Sequence, residues 1–529
     1  MRNKMMSSMK KKLAVTAALA LAICMLFNGA LACTSIYVGP ALSDDGSAIF
    51  GRSEDFSNSQ NKLMYVAPAG KHTAGELYEG CYGFTWTFTH DSYSYTAFSD
   101  DNGEGVGNVC PDCGDDHPHT PYEAGGTNEK GLSVSATETI GSADAVGEAD
   151  PFEDLGIEEA EIVTVLLSEA ATAKEALAVL TGIYDTVGAC DGSGIFIADN
   201  TETWYIENTT GHQYIAVKLT DDMVMVQPNM SIIGAIDLDD TDNVIASASL
   251  IETAQTAGSF VGDADANVIN YVLSYNEETA PNARMVNALA FLDPAFADTE
   301  AEVDPAASYL ISNIDENGEI VPMYTGITPD KALSIADVQD FYHIGNIGYV
   351  RNLETHVFQT FPEDGIADTI EWVTMNDAAI NVFIPYFPML TTDVDASYKL
   401  STAEAPFVEE EPESGLYYAT TTYKRVDGER VAVDGFKVLP ENWADSMYWS
   451  FDALSNLVMY AELTEEQIAA VNDALQAKQA EVNAAFAEFK AGFDPTAEDA
   501  ADVATAWSMA VAQDVHALAV ELVNGLIGE

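Results

Sequence analysis

Positive charge is what this sequence has least of. Its 529 residues carry 21 Lys and Arg against 85 Asp and Glu, a formal net charge of −64. A surface of that sign repels phosphate backbones and anionic headgroups, which argues against nucleic-acid binding and electrostatic membrane docking. The acids are dispersed among Val, Ile, Leu, Phe and Tyr, and 47% of the chain is apolar, which argues against disorder. The charge reads as a solvated, self-repelling surface suited to a salty or extracellular setting. Histidine is scarce too: eight residues, scattered, from which no Ser/His/Asp arrangement can be argued. His356, in Thr355-His356-Val357-Phe358-Gln359, reads as a satisfied core histidine. No internal repeat is present.

Long apolar runs are also few. After residue 32 no stretch reads as apolar for long enough to span a bilayer. The first 32 residues are a different polymer: a basic segment with Arg2, Lys4, Lys10, Lys11 and Lys12, an apolar run from Leu13 to Phe27, then Asn28-Gly29-Ala30-Leu31-Ala32. That order predicts a secretory signal cleaved after Ala32 and a secreted or extracytoplasmic protein. Its removal takes five of the 21 basic residues and none of the acids.

Cleavage there makes Cys33 the first residue. A terminal cysteine carries a nucleophile and a base together: the α-amine titrates near ~7.7–8.0 and the thiol near ~8.5, so the amine can accept the thiol proton at neutral pH. Nucleophile plus adjacent base is the minimal acyl-transfer machine. A second reading makes Cys33 a lipid anchor of a surface binding protein, although Ala30 and Leu31 depart from the usual lipoprotein pattern. A third makes it a buried or disulfide-bonded structural cysteine. The segment that follows weighs on the side of chemistry. Cys33 to Gly39 reads as a strand, Ser43-Asp44-Asp45-Gly46-Ser47 as a hairpin turn and Ala48 to Arg52 as the returning strand. The hairpin brings Arg52 and Asp55 back to the new amino terminus, the first to favour thiolate and the second to hold the ammonium.

Cys33-Thr34-Ser35 with Gly51-Arg52-x-x-Asp55, then Thr127-Asn128-Glu129-Lys130-Gly131-Leu132-Ser133-Val134-Ser135, resembles the PepD-type cysteine dipeptidases (dipeptidase A) of the N-terminal nucleophile (Ntn) hydrolases. The resemblance continues through Phe196 to Asp199 with Trp204 and Glu207, Asp221 to Val226 leading to Asn229, Glu354 to Gln359 and Tyr448 to Phe451, roughly residues 33–460. It implies an α+β, four-layer αββα fold, exposure of Cys33 by removal of a leader, and hydrolysis of dipeptides or short peptides. It further implies Cys33 as nucleophile with its α-amine as base, Arg52 and Asp55 as the charged pair beside the thiol, and Asn128 and Asn229 as polar groups around the oxyanion and the amine. A second arginine belongs to that pattern; Arg284 and Arg351 are its candidates. No cofactor and no metal is called for.

Other features stay outside this chemistry. Cys110-Pro111-Asp112-Cys113 with His117 and His119 could supply four zinc ligands, or the two cysteines could close an exported loop as a disulfide. Cys81 and Cys190 leave the disulfide pattern open. Asp237 to Asp242 lacks the Gly and Glu of a calcium loop and reads as a solvated turn. Ile157 to Tyr184 has the spacing of a helix pair covering a sheet, with β-rich segments from Gly194 to Ile233. From Leu463 the chain reads as helical, Leu463–Lys490 and Thr496–Ile527, broken at Gly492-Phe493-Asp494-Pro495. The expected organisation is a leader at 1–32, a peptidase domain at 33–460 and a C-terminal helical region at 461–529 that either covers the domain or forms homo-oligomers. The predicted activity is that of an exported dipeptidase working through a thioester on small peptides. The alternative within the superfamily is an amidase acting on N-acyl amino acids or bile-acid-like conjugates.

Overall fold

Thr34–Val38 (β1) and Ala48–Asp55 (β2) form the expected hairpin, with Ser35 opposite Arg52 and Thr34 opposite Ser53. Its turn is set by Gly46, at φ 80°, and by the Asp45 carboxylate, which accepts from the Ser47 backbone N–H at 3.1 Å and its hydroxyl at 2.6 Å. The computed structural model describes residues 33–528 apart from 57–59, 81–82, 102–119, 139, 277–281, 294–311, 315–319, 323–328, 363–364, 403–406, 414 and 427–428. The expected leader at 1–32, Cys81, and the segment with Cys110, Cys113, His117 and His119 therefore lie outside the described residues. Among the described residues Cys33 is a free thiol.

The remaining strands of the two main sheets are Asn61–Ala67 (β3), Tyr95–Asp101 (β4), Glu123–Asn128 (β5), Ser133–Glu138 (β6), Ser193–Ala198 (β7), Thr203–Asn208 (β8), Tyr214–Lys218 (β9), Val224–Gln227 (β10), Val244–Ala246 (β11), Asn352–Thr360 (β12), Thr369–Met375 (β13) and Ile384–Tyr386 (β14). One sheet has six strands in the order β10-β1-β2-β12-β13-β14, the other eight in the order β11-β9-β8-β7-β6-β5-β4-β3, with neighbours antiparallel. They face each other: Phe50 of β2 stacks on Phe196 of β7 at 5.7 Å, and Phe98 of β4 on His356 of β12 at 5.4 Å.

Period-two alternation assigns the faces. In β6, Val134 and Ala136 point outward into a cluster with Leu166, Leu167, Leu177 and Leu180, while Ser133, Ser135 and Thr137 line the space between the sheets. The outward cluster is closed by the helices Glu159–Glu169 (α1) and Ala173–Thr186 (α2), the predicted pair. On the other side lie Ala283–Leu292 (α3), Met447–Tyr460 (α4), Glu465–Gly492 (α5) and Ala500–Ile527 (α6). Phe486 of α5 packs edge-on against Trp372 of β13 at 4.9 Å. The result is the predicted helix–sheet–sheet–helix layering.

Residues Cys33–Glu529 form one compact unit, and Val471, Leu475, Val482 and Phe486 of α5 belong to the same core as the first sheet. In α6, Ala504, Ser508, Ala512, Val515, Ala519 and Val523 form a buried stripe whose small residues allow close approach to its neighbours. By length and composition alone α6 is also long and apolar enough to cross a membrane, contrary to the expectation that no segment after residue 32 would qualify.

Candidate active site

Cys33 directly precedes β1, 4% exposed. Because Arg52 lies opposite Ser35 in the hairpin, its side chain runs along the inter-sheet face towards Cys33, and Nη2 donates to Sγ at 3.2 Å. The same nitrogen donates to Glu159 Oε1 at 2.8 Å, and Nη1 donates to the Ala124 carbonyl at 3.0 Å. Burial pushes the Cys33 thiol up; Arg52 pulls it down, Glu159 and Asp55 add to the rise, and Thr137 opposes it. The inward alternation of β6 thus places a small hydroxyl against the sulfur.

A second guanidinium holds the backbone of the same residue. Arg284 Nη1 donates to the Cys33 carbonyl at 2.5 Å, Thr34 Oγ1 at 3.0 Å and Asn229 Oδ1 at 3.3 Å, and stands 4.0 Å from Asp55 Oδ2. Its helix, α3, starts from Asn282, whose side chain caps the N–H groups of Arg284 and Met285. Of the two candidate arginines, Arg284 is therefore the one at the site. Arg351 Nε bonds to the Phe56 carbonyl at 3.0 Å, one residue past Asp55.

Asp55 is 3% exposed, accepts from Asn352 Nδ2 through Oδ1, and among the described residues has no hydrogen-bond partner at Oδ2. Burial lifts it to about 7 despite the opposing pull of Arg284. An unsatisfied buried carboxylate oxygen is costly, and a positively charged donor is the natural complement to it. Asn229 sits at φ 53°, a left-handed conformation that Asn tolerates. Its loop is pinned by Glu207, which accepts from the Ser231 hydroxyl and from the Ile232 N–H at 2.7 Å.

Asn128 is the correction. Nδ2 donates to the Leu167 and Ala170 carbonyls at 2.9 and 2.8 Å, and Oδ1 accepts from the N–H groups of Lys130 and Leu132 at 3.0 and 3.2 Å. The side chain is saturated by backbone groups. It closes the turn between β5 and β6 and caps the end of α1, which leaves it no donor for an oxyanion.

Glu159 was missed by sequence reasoning: it is one acid among many in an acidic chain, at a helix start where acids are commonplace. His356 is the satisfied core histidine expected. Nε2 lies 2.8 Å from Ser135 Oγ of the opposite sheet and Nδ1 3.0 Å from Glu354, so it braces the two sheets where it pairs in register with Arg52. The brace also explains Gly125: a Cβ there would lie 2.7 Å from His356 Cε1.

A thiol at the head of a strand, one guanidinium on its sulfur, another on its carbonyl and a buried carboxylate beside the second, brings a nucleophile together with charges that act on it. The chain belongs to peptidase family C69, whose model matches residues 32–426. It is 34% identical over 266 residues to "Probable dipeptidase B" of Streptococcus pyogenes serotype M18, covering 50% of each chain, so the match spans about half the length of that relative. It is 28% identical over 391 residues to "Probable dipeptidase" of Salmonella dublin, covering 70% of this chain and 84% of that one. Among solved structures, a variant of conjugated bile acid hydrolase from Clostridium perfringens aligns over 65% of this chain and 89% of its own at 13% identity and a TM-score of 0.30, too low to bear on this fold.

Proposed function

We propose that this chain is an exported cysteine-type dipeptidase in which removal of residues 1–32 frees the α-amine of Cys33. The observation that carries the reading is the pairing of Arg52 with the Cys33 sulfur while Arg284 holds the carbonyl of the same residue. Family membership supports peptide hydrolysis, and the family match starts at residue 32, the last residue of the proposed leader.

The steps follow from the groups present. Burial keeps the resting thiol protonated, so the sulfur depends on a base, and the α-amine of the same residue is within reach by construction. As the amine takes the thiol proton, Arg52 stabilises the sulfur anion that attacks the peptide carbonyl. The oxyanion faces Asn229, held on Arg284; one well-placed donor there contributes about 2.7–4 kcal/mol. The ammonium then protonates the leaving amine, and water, activated by the same amine, hydrolyses the thioester. Asp55 Oδ2 takes a positive charge, either the Cys33 ammonium or that of a free dipeptide.

The test is a panel of dipeptides and N-acyl amino acids with intact-mass measurement of the secreted protein. Dipeptide turnover, lost in Cys33→Ala, with the unmodified mass of residues 33–529, supports the reading. Preference for N-acyl substrates replaces dipeptidase by amidase, a lipid-sized mass increment replaces enzyme by anchor, and turnover surviving in Cys33→Ala refutes the mechanism.

A further inference from the structure

Arg52 is shared between two acceptors. Nη2 stands 2.8 Å from Glu159 Oε1 and 3.2 Å from Cys33 Sγ, and all three side chains are buried. The carboxylate is itself fixed: Oε2 accepts from the Tyr122 hydroxyl at 3.0 Å, and the Glu159 N–H donates to Asp191 Oδ2 at 3.3 Å. It projects from the first turn of α1, a helix started by a capping box between Glu158 and Glu161.

We propose that Glu159 is a positioning residue for Cys33: its carboxylate anchors the Arg52 guanidinium and takes up part of its charge, so the sulfur meets a fixed, partly neutralised cation. The inference rests on Cys33 being the nucleophile. A bare guanidinium at 3.2 Å would favour thiolate at rest; a carboxylate on the same nitrogen opposes it and leaves the proton to be removed by the base. Among the described residues the charged groups facing Cys33 are Arg52 and Asp55 of β2, Glu159 of α1 and Arg284 of α3, with the hydroxyls of Thr137 of β6 and of Tyr349 before β12. Of the acids among them, Glu159 is the one that shares Nη2 with the sulfur. Because the two acceptors share one nitrogen, carboxylate and sulfur lie within about 6 Å, close enough to move the thiol by about one to two pH units.

Alkylation of Cys33 by iodoacetamide against pH, read by peptide mass in the full chain, measures the thiol without requiring turnover. Glu159→Gln keeps the shape and removes the charge; its alkylation midpoint moves to lower pH by about one to two units, so that labelling below both midpoints rises about ten- to a hundredfold. Tyr122→Phe loosens the same carboxylate without removing its charge and leaves the midpoint in place. If Glu159→Gln does not fold, Glu159→Asp, with the charge drawn back from Arg52, gives a smaller shift in the same direction. An unmoved midpoint in the folded Glu159 variant, or an equal shift in Tyr122→Phe, overturns the proposal. A protein that labels as expected yet hydrolyses no peptide leaves Glu159 in this role and removes the dipeptidase reading instead.

Discussion

Glu371 gives a measurable consequence of the polar space between the sheets. It lies on β13, fully buried, and neither carboxylate oxygen has a hydrogen-bond partner among the described residues. Burial raises it from 4.5 to about 8, and Glu354 adds to the rise. Between those two pH values the folded protein holds a proton that the unfolded chain releases. The sign follows: the penalty is absent below pH 4.5, grows as pH rises and is complete above pH 8. At 1.36 kcal/mol per unit this amounts to about 5 kcal/mol, an upper figure that structural relaxation lowers. Glu371→Gln removes the titration and keeps the shape, adding an offset from the buried amide that does not depend on pH. Urea unfolding of both proteins at pH 5 and pH 9 therefore shows the variant gaining about 3–5 kcal/mol on the wild type between the two conditions. The difference between the proteins is read, because Glu207, Asp55, Asp377 and Asp100 are also raised by burial and tilt both curves alike. A stability difference that stays constant with pH would refute the claim that Glu371 is folded in its neutral form.

Asp55, raised to about 7, places an acid limb near pH 7 in kcat/KM, because its protonated form cannot hold an ammonium; Asp55→Asn removes that limb along with most activity, as pH–rate profiles of the two proteins will show. Asn128→Ala breaks four bonds to backbone groups and lowers stability by about 1–3 kcal/mol or more in denaturant titrations, while kcat per folded molecule is retained; a dead but fully stable variant would return Asn128 to the catalytic set. Arg284→Ala, which releases the Cys33 carbonyl, Thr34 and Asn229 together, lowers kcat by about a hundredfold or more, whereas Arg351→Ala has a much smaller effect in the same steady-state assay. Cys33→Ser retains at most a trace of turnover, since an alkoxide forms less readily than a thiolate at neutral pH.

Much of the site was legible because its first elements are local. A turn with Asp45 and Gly46 between two apolar-rich segments forces a hairpin, and a hairpin of that length brings Arg52 back towards Cys33 whatever the rest of the chain does. Alternation in Ser133-Val134-Ser135-Ala136-Thr137 marked a strand, but which parity faces the thiol depends on which sheet it joins. Arg284 and Glu159 were not legible in the same way. They reach Cys33 from helices 251 and 126 positions downstream, and separation along the chain says nothing of proximity in space. The Asn128 motif was seen, but its role is set by two carbonyls at the end of α1, supplied some 40 residues later.

The sequence by itself determined the acidity, the change of composition at residue 32, the cysteine that follows it and the hairpin carrying Arg52 and Asp55, because each depends on residue type and near neighbours. The tertiary structure decided which of two arginines holds Cys33, which asparagine is structural and which acid shares the guanidinium with the sulfur. Those depend on how two sheets and their helices close on one another, and buried charge is arranged by that closure.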